Sequence, residues 1–194
     1  MNRLGRPFAH TDFEKRTKRT ILDFNAILTQ HIDNFKVTIT DGIQILPGTY
    51  CAYIPISTSQ FEKAKGMMQY YSTLSKFLMD NNLETNGHPF LEITEWNQDT
   101  DSVSYNFCFP IIKSDGLPNN ELIKYKKFKD IRALKAVYNG NYITSDRAWY
   151  VLLEHAKKNN IQVDKTPVEV FLTNPNFGGN ELNWTANVYM PLKE

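Results

Sequence analysis

Cysteine is scarce in this chain. There are two, Cys51 and Cys108, each inside an apolar, strand-like run. Two such thiols make no disulfide framework, and they read as buried free thiols of a reducing compartment. Long apolar runs are also missing. None approaches the roughly 18 residues of a membrane span, and Met1-Asn2-Arg3-Leu4-Gly5-Arg6 lacks the apolar core of a signal peptide. A cytoplasmic protein without a membrane span is the expectation. Charge of either sign is not in excess: the formal net charge is +1. No global field recruits nucleic acid or an anionic membrane, so direct nucleic-acid binding is not expected. The four histidines, His10, His31, His88 and His155, have no metal-ligand spacing. The nucleophile elbow, P-loop and dinucleotide fingerprint are likewise missing. The sequence therefore gives no reason to expect a metal, a cofactor or a familiar catalytic constellation.

Aromatic residues are plentiful at 13% of the 194 residues. That is more ring area than a bare core needs, and it suggests a lined pocket. Residues 1–34 read as an arm followed by a helix from Asp12 to Asn34, with Phe13, Ile21, Phe24, Leu28 and Ile32 near helical spacing. The basic run Lys15-Arg16-Thr17-Lys18-Arg19 reads as a solvated face. Residues 35–194 form the main domain.

Within it, Phe35 to Thr40, Ile43 to Leu46 and Tyr50 to Ile56 read as strands, with turns at Asp41-Gly42 and Pro47-Gly48. Ser59-Gln60-Phe61-Glu62 has the pattern of a capping box opening a helix. Phe61, Ala64, Met68, Tyr71, Leu74 and Leu78 make that helix's apolar stripe. Strands Phe90 to Trp96 and Val103 to Ile111 follow, and 113–121 is a linker in composition. The pattern then restarts. Lys124 to Lys129 reads as an edge strand, and Ala133 to Tyr138 as a strand ending in an Asn139-Gly140-Asn141 turn. A helix beginning near Thr144-Ser145-Asp146 carries Trp149, Leu152, Leu153 and Ala156 inward. Two more strands, Pro167 to Leu172 and Asn183 to Met190, complete the chain.

The restart is a repeat. An offset of 78 residues carries Asn81-Asn82 onto Asn159-Asn160 and Pro89 onto Pro167. An offset of 81 carries Asn106 and Pro110 onto Asn187 and Pro191, the second copy having a longer loop around Asn176-Phe177-Gly178-Gly179-Asn180. We read repeat units of about 35–112 and 122–192. The expected fold is α+β: two pseudo-two-fold-related hairpin, helix, hairpin units, one antiparallel sheet, helices on one face and a ligand groove between the halves.

Thr166 to Pro175 concentrates the functional question. Alternation places Val168, Val170 and Leu172 on one face, suited to packing on a helix, and Glu169, Phe171 and Thr173 on the other. Glu169 is either an acid on a solvated face or a half-buried acid that captures a ligand. At the 78-residue offset it falls on Leu91, so the repeat itself does not demand an acid there.

Ala136-Val137-Tyr138-Asn139-Gly140-Asn141-Tyr142, the helix with Trp149 and Leu152, Val168 to Pro175 and the ending Leu182 to Leu192 resemble the GyrI-like small-molecule-binding family. This is the effector-binding domain of MerR- and AraC-type transcription activators and of stand-alone gyrase-inhibitor-like proteins. The resemblance spans about residues 35–194. It implies a duplicated strand–helix fold with a central aromatic pocket and multidrug binding, its acid placed on Glu169 to meet cationic, lipophilic drugs. Trp184 or Tyr189 would match its last-strand aromatic, and Tyr53, Tyr71, Tyr138, Tyr142, Trp149 and Phe171 complete the candidate lining. Met67 and Met68 would let such a pocket adapt its shape. The expected function is non-catalytic capture of a small hydrophobic molecule, cations included, by a stand-alone sensing or sequestering protein. Two alternatives stand beside it. Some family members are hydrolases of electrophilic small molecules, for which Glu169 would be the general base with Tyr138 or Tyr142. Gyrase modulation through protein contact is the other.

Overall fold

The computed structural model describes residues 15–23, 34–175 and 178–193. The chain divides into two compact units, Met1–Phe35 and Lys36–Glu194. In the first, residues 15–23 form helix α1 with its side chains exposed, the basic run included, and Arg19 and Asp23 pair one turn apart at 3.9 Å. Residues 12–14 and 24–33 of the helix expected over Asp12–Asn34 lie outside the described residues, and Asn34 is in a turn.

The larger unit is built from β1 (Phe35–Leu46), β2 (Thr49–Ser59), α2 (Lys63–Asp80), β3 (Phe90–Asn97) and β4 (Ser102–Pro110). The series then repeats as β5 (Lys124–Phe128), β6 (Ile131–Gly140), α3 (Arg147–Lys158), β7 (Val168–Phe171) and β8 (Thr185–Pro191). All eight strands join one open antiparallel sheet in the order β1-β6-β8-β7-β3-β4-β2-β5. Exchanging each strand for its counterpart in the other copy reverses this order, which is how a pseudo-two-fold axis between β7 and β3 reads in topology. Leu91 and Glu169, equivalent by the 78-residue offset, are cross-strand partners at that axis.

The outer strands are exchanged between the halves. β1 lies beside β6, and β5 lies beside β2. β1 is also a single strand of 12 residues, where a turn at Asp41-Gly42 was expected. Gly42 takes φ +72°, a left-handed conformation open to glycine, and the strand continues through it.

The face assignment around Glu169 is the reverse of the expected one. One transverse row crosses six strands through Ala136, Val188, Glu169, Leu91, Phe107 and Ile54, every member buried. This row faces the helices, as the Lys63–Glu169 contact from α2 shows. Val168 and Val170 instead face away, with Phe90, Cys108, Cys51 and Tyr189. Branching therefore did not mark the helix side here; both faces of this central strand are covered by neighbours.

The start of α2 also differs from the expected capping box. Ser59 makes no side-chain cap, a 3-10 turn over Gln60–Glu62 intervenes, and Glu62 pairs with Lys65 at 3.1 Å. The buried stripe of α2 is Lys63, Ala64, Met67, Leu74 and Leu78, while Phe61 and Met68 are exposed. Gly66 brings this helix close to β4: an added Cβ would collide with the Tyr105 hydroxyl, which donates to the Lys63 carbonyl at 2.8 Å. Cys51 and Cys108 are free, buried thiols, and burial pushes the Cys108 thiol well up. No helix among the described residues is long and apolar enough to cross a membrane.

Candidate ligand-binding site

Glu169 sits on the helix face of β7 with no solvent exposure. A carboxylate in such a place needs a partner, because a lone buried charge is costly. Lys63, on the first turn of α2 and equally buried, supplies it. Its Nζ donates to Glu169 Oε1 at 2.9 Å and Oε2 at 2.8 Å, and to Ser145 Oγ at 2.6 Å. The Ser145 hydroxyl in turn lies 2.8 Å from Glu169 Oε2 and 2.9 Å from the Tyr142 carbonyl. The ammonium also lies 5.1 Å from the Trp149 ring centroid. The result is a closed, hydrogen-bonded charge pair that ties α2 and the turn before α3 to β7.

Beside it a cleft of about 380 Å³ opens between α2, the turn after β6 and the loop after β7. Tyr71 from α2, Tyr142 from the 3-10 turn Tyr142–Thr144, Phe171 at the end of β7 and Trp184 just before β8 line it. Tyr142 lies 4.7 Å from the Phe171 ring and 6.0 Å from Trp184, centroid to centroid. The Tyr142 hydroxyl is shared between the carbonyls of Thr185 at 2.8 Å and Thr173 at 3.0 Å. Burial pushes its pKa up, and those hydrogen bonds partly offset the shift. Asn174 donates to the Tyr71 hydroxyl at 3.2 Å. Met67 and Met68 add adaptable apolar wall, and Met68, Ile143 and Leu172 leave an apolar rim in water. No Asp, Glu, Lys or Arg lines the cleft among the described residues.

Four of the nine candidate lining residues thus share the cleft: Tyr71, Tyr142, Phe171 and Trp184. Glu169 does not line it, because its carboxylate is turned to Lys63. Tyr53 and Tyr189 project from the opposite face of the sheet, where Lys126 and Lys135 lie over their rings at 5.0 and 5.6 Å. Tyr138 is buried in the frame, donating to Asn141 O at 2.7 Å and meeting Thr144 Oγ1 at 2.8 Å. Trp149 packs in the core against Trp96. The parity of residues flanking a bulge or turn, as at Trp184, is not fixed by alternation. Tyr189 and Val168 are direct cross-strand partners, which puts Tyr189 on the face opposite Glu169.

Lys63 and Ser145 were missed. Lys63 did leave a signal: it stands four residues before Met67 on the buried stripe of α2. An amine on an apolar stripe calls for a buried acid elsewhere. Among the described residues no group of His, Cys, Asp and Glu is arranged to hold a metal.

A sheet covered by helices on one face and opened beside the charge pair into an aromatic cleft has the form of a small-molecule-binding α+β domain. The model of the GyrI-like small molecule binding domain matches residues 43–193, and the chain belongs to that family. No curated protein matches the sequence. Among solved structures, the EcmrR C-terminal domain is similar with a TM-score of 0.66 at 13% identity, covering 82% of this chain and 98% of that one. EcmrR in its complex with DNA aligns with a TM-score of 0.68 at 12% identity, over 94% of this chain and 69% of that one. SAV2435, solved bound to tetraphenylphosphonium, aligns with a TM-score of 0.58 at 10% identity, over 80% and 94%. At these identities the likeness is one of fold.

Proposed function

We propose that this domain captures a small, hydrophobic, ring-bearing molecule in the cleft between α2 and the ends of β6 and β7, as a sensing or sequestering protein. The convergence of Tyr71, Tyr142, Phe171 and Trp184 on one cavity of about 380 Å³ carries the reading. Burying a drug-sized apolar ligand against rings gains the transfer free energy of its surface, about 25 cal/mol per Å², plus stacking of about 0.5–1.5 kcal/mol per ring pair. Met67 and Met68 can repack around ligands of different shape, which favours broad selectivity. The tetraphenylphosphonium held by SAV2435 is of the same aryl-rich class.

Catalysis by the same site is disfavoured by the state of its acid. A general base must reach the proton it removes. Glu169 is buried against Lys63 and Ser145, and the Tyr142 hydroxyl is committed to two backbone carbonyls. Capture without turnover follows.

Calorimetric titration with triphenylphosphine oxide tests the reading, run on the wild type and on Phe171→Ala and Trp184→Ala. Saturable binding weakened about tenfold by either truncation, roughly one ring's worth of contact, is the expected result. No saturable binding of this or any other aryl probe, or binding indifferent to both truncations, would sink the proposal. Product analysis of the same samples by mass spectrometry would expose any turnover.

A further inference from the structure

Lys63 occupies a position that a ligand would otherwise contest. Glu169 and Phe171 lie on the same face of β7, two residues apart, and Phe171 lines the cleft. Ala64, next to Lys63 in α2, and Tyr142, whose carbonyl meets Ser145, line it too. The charge pair therefore stands directly behind the cleft wall. The sole buried acid of the sheet row faces inward with both oxygens taken: Oε1 by Lys63, Oε2 by Lys63 and Ser145.

We infer that Lys63 is a specificity-determining residue: its ammonium is the built-in occupant of a cation subsite centred on Glu169, and the cleft consequently takes uncharged hydrophobic ligands and rejects lipophilic cations. This rests on the ligand-capture reading of the cleft and adds the charge class of the ligand. An organic cation entering the wild-type cleft is desolvated without a free counter-charge, because Glu169 is already neutralised by Lys63. The rings offer cation–π attraction, but a neutral molecule of the same shape keeps its dispersion contacts with no desolvation cost for a charge. Displacing the Lys63 ammonium is unfavourable, since it is covalently tethered in place and satisfied by three hydrogen bonds. Removing the amine reverses the balance, leaving a buried carboxylate that must either take up a proton or accept an incoming cation.

The test uses 4-phenylbutylamine, whose tetramethylene ammonium reproduces the Lys63 side chain and whose ring suits the cleft, against 4-phenylbutanol as the neutral counterpart. Calorimetry on the wild type, on Lys63→Ala and on Lys63→Ala/Glu169→Gln reads both affinities. In the wild type the alcohol binds at least as tightly as the amine. In Lys63→Ala the amine gains tenfold or more, and the second substitution abolishes that gain. Preference for the amine in the wild type, or a gain that survives Glu169→Gln, or no gain in a folded Lys63→Ala, overturns the inference. If Lys63→Ala does not fold alone, the amine restores its near-UV circular dichroism on refolding and the alcohol does not; failure of that rescue also overturns it. Lack of alcohol binding to the wild type counts against the capture reading, whereas the amine's response to Lys63→Ala judges the subsite, so the two fail separately.

Discussion

The two halves of the sheet each have a place for a cleft between helix and strand ends, and the two places have been treated differently. At the 78-residue offset Tyr71 corresponds to Trp149 and Ser72 to Tyr150. In the first place, Tyr71 borders open space. In the second, Trp96 stacks edge-on against Trp149 at 5.0 Å and Tyr150 at 5.2 Å. Gln60 closes it further: its amide nitrogen donates to Asp146 at 2.6 Å and to the Tyr150 hydroxyl at 3.2 Å, and its oxygen accepts from Trp96 Nε1 at 2.7 Å. Helix length follows the same division. α2 runs for 18 residues and α3 for 12, and the additional N-terminal turns of α2 carry Lys63, Ala64, Met67 and Met68. One copy has become a plug and the other a receptacle. Duplication supplies the frame, and divergence of a few large side chains decides which of the two places stays open.

The largest effect is expected at the fully buried charge pair between the halves, Lys63–Glu169. Lys63→Ala leaves Glu169 buried without a counter-charge, at about 3–5 kcal/mol, read from urea denaturation with unchanged m. The double variant Lys63→Met/Glu169→Leu gives β7 the residue that its partner has at Leu91, and should recover that loss or exceed wild-type stability. A double variant as unstable as the single would refute the account. Filling is tested next: Trp96→Ala should cost about 3 kcal/mol and open a second cavity, detected as a rise in melting temperature with added indole that the wild type lacks. Unchanged stability would show that the plug contributes nothing.

A smaller effect tests the seat of α2. Gly66→Ala crowds the Tyr105 hydroxyl and should cost about 1–3 kcal/mol; a neutral result would mean the helix moves freely. The smallest effect concerns alkali. Burial raises the Tyr138 hydroxyl from 10.0 to about 12. Its folded pKa exceeds the unfolded value, so the native state retains a proton that the unfolded chain releases. The contribution is full below pH 10 and is lost as pH rises toward 12. Tyr138→Phe should flatten the fall in stability across that window, and an unaltered pH profile would exclude Tyr138 as its source.

Much of the fold was legible because its signals are local. Repeated Asn-Asn helix ends, strand–turn punctuation and the edge character of Lys124–Lys129 mark the duplication in the sequence alone. Partner choice was less so. Nothing local says that β1 leaves β2 for β6, or that a positive-φ Gly42 extends a strand instead of reversing it. The site was half legible for the same reason. Glu169 stood out as an acid in an apolar setting, and the aromatic neighbours Tyr142, Phe171 and Trp184 came with it. Its partner is 106 residues away in sequence, so only a folded chain reveals that Glu169 meets Lys63 before it can meet a ligand. Tyr53 and Tyr189 were misplaced because ring content reports burial of area, not which face of a sheet is buried.

The exchange of outer strands sets how this molecule must be made. A first half emerging from synthesis has β2 with one side unpaired until residues 124–128 follow, and β1 has no neighbour until β6 exists. Both pairings close long loops, the kind of contact that slows folding. During that interval the bare edge of β2 is a template for another chain's strand. The domain should therefore assemble late and all at once. A break in the 113–121 connection is then better tolerated after folding than before it, since the finished halves hold each other's edges.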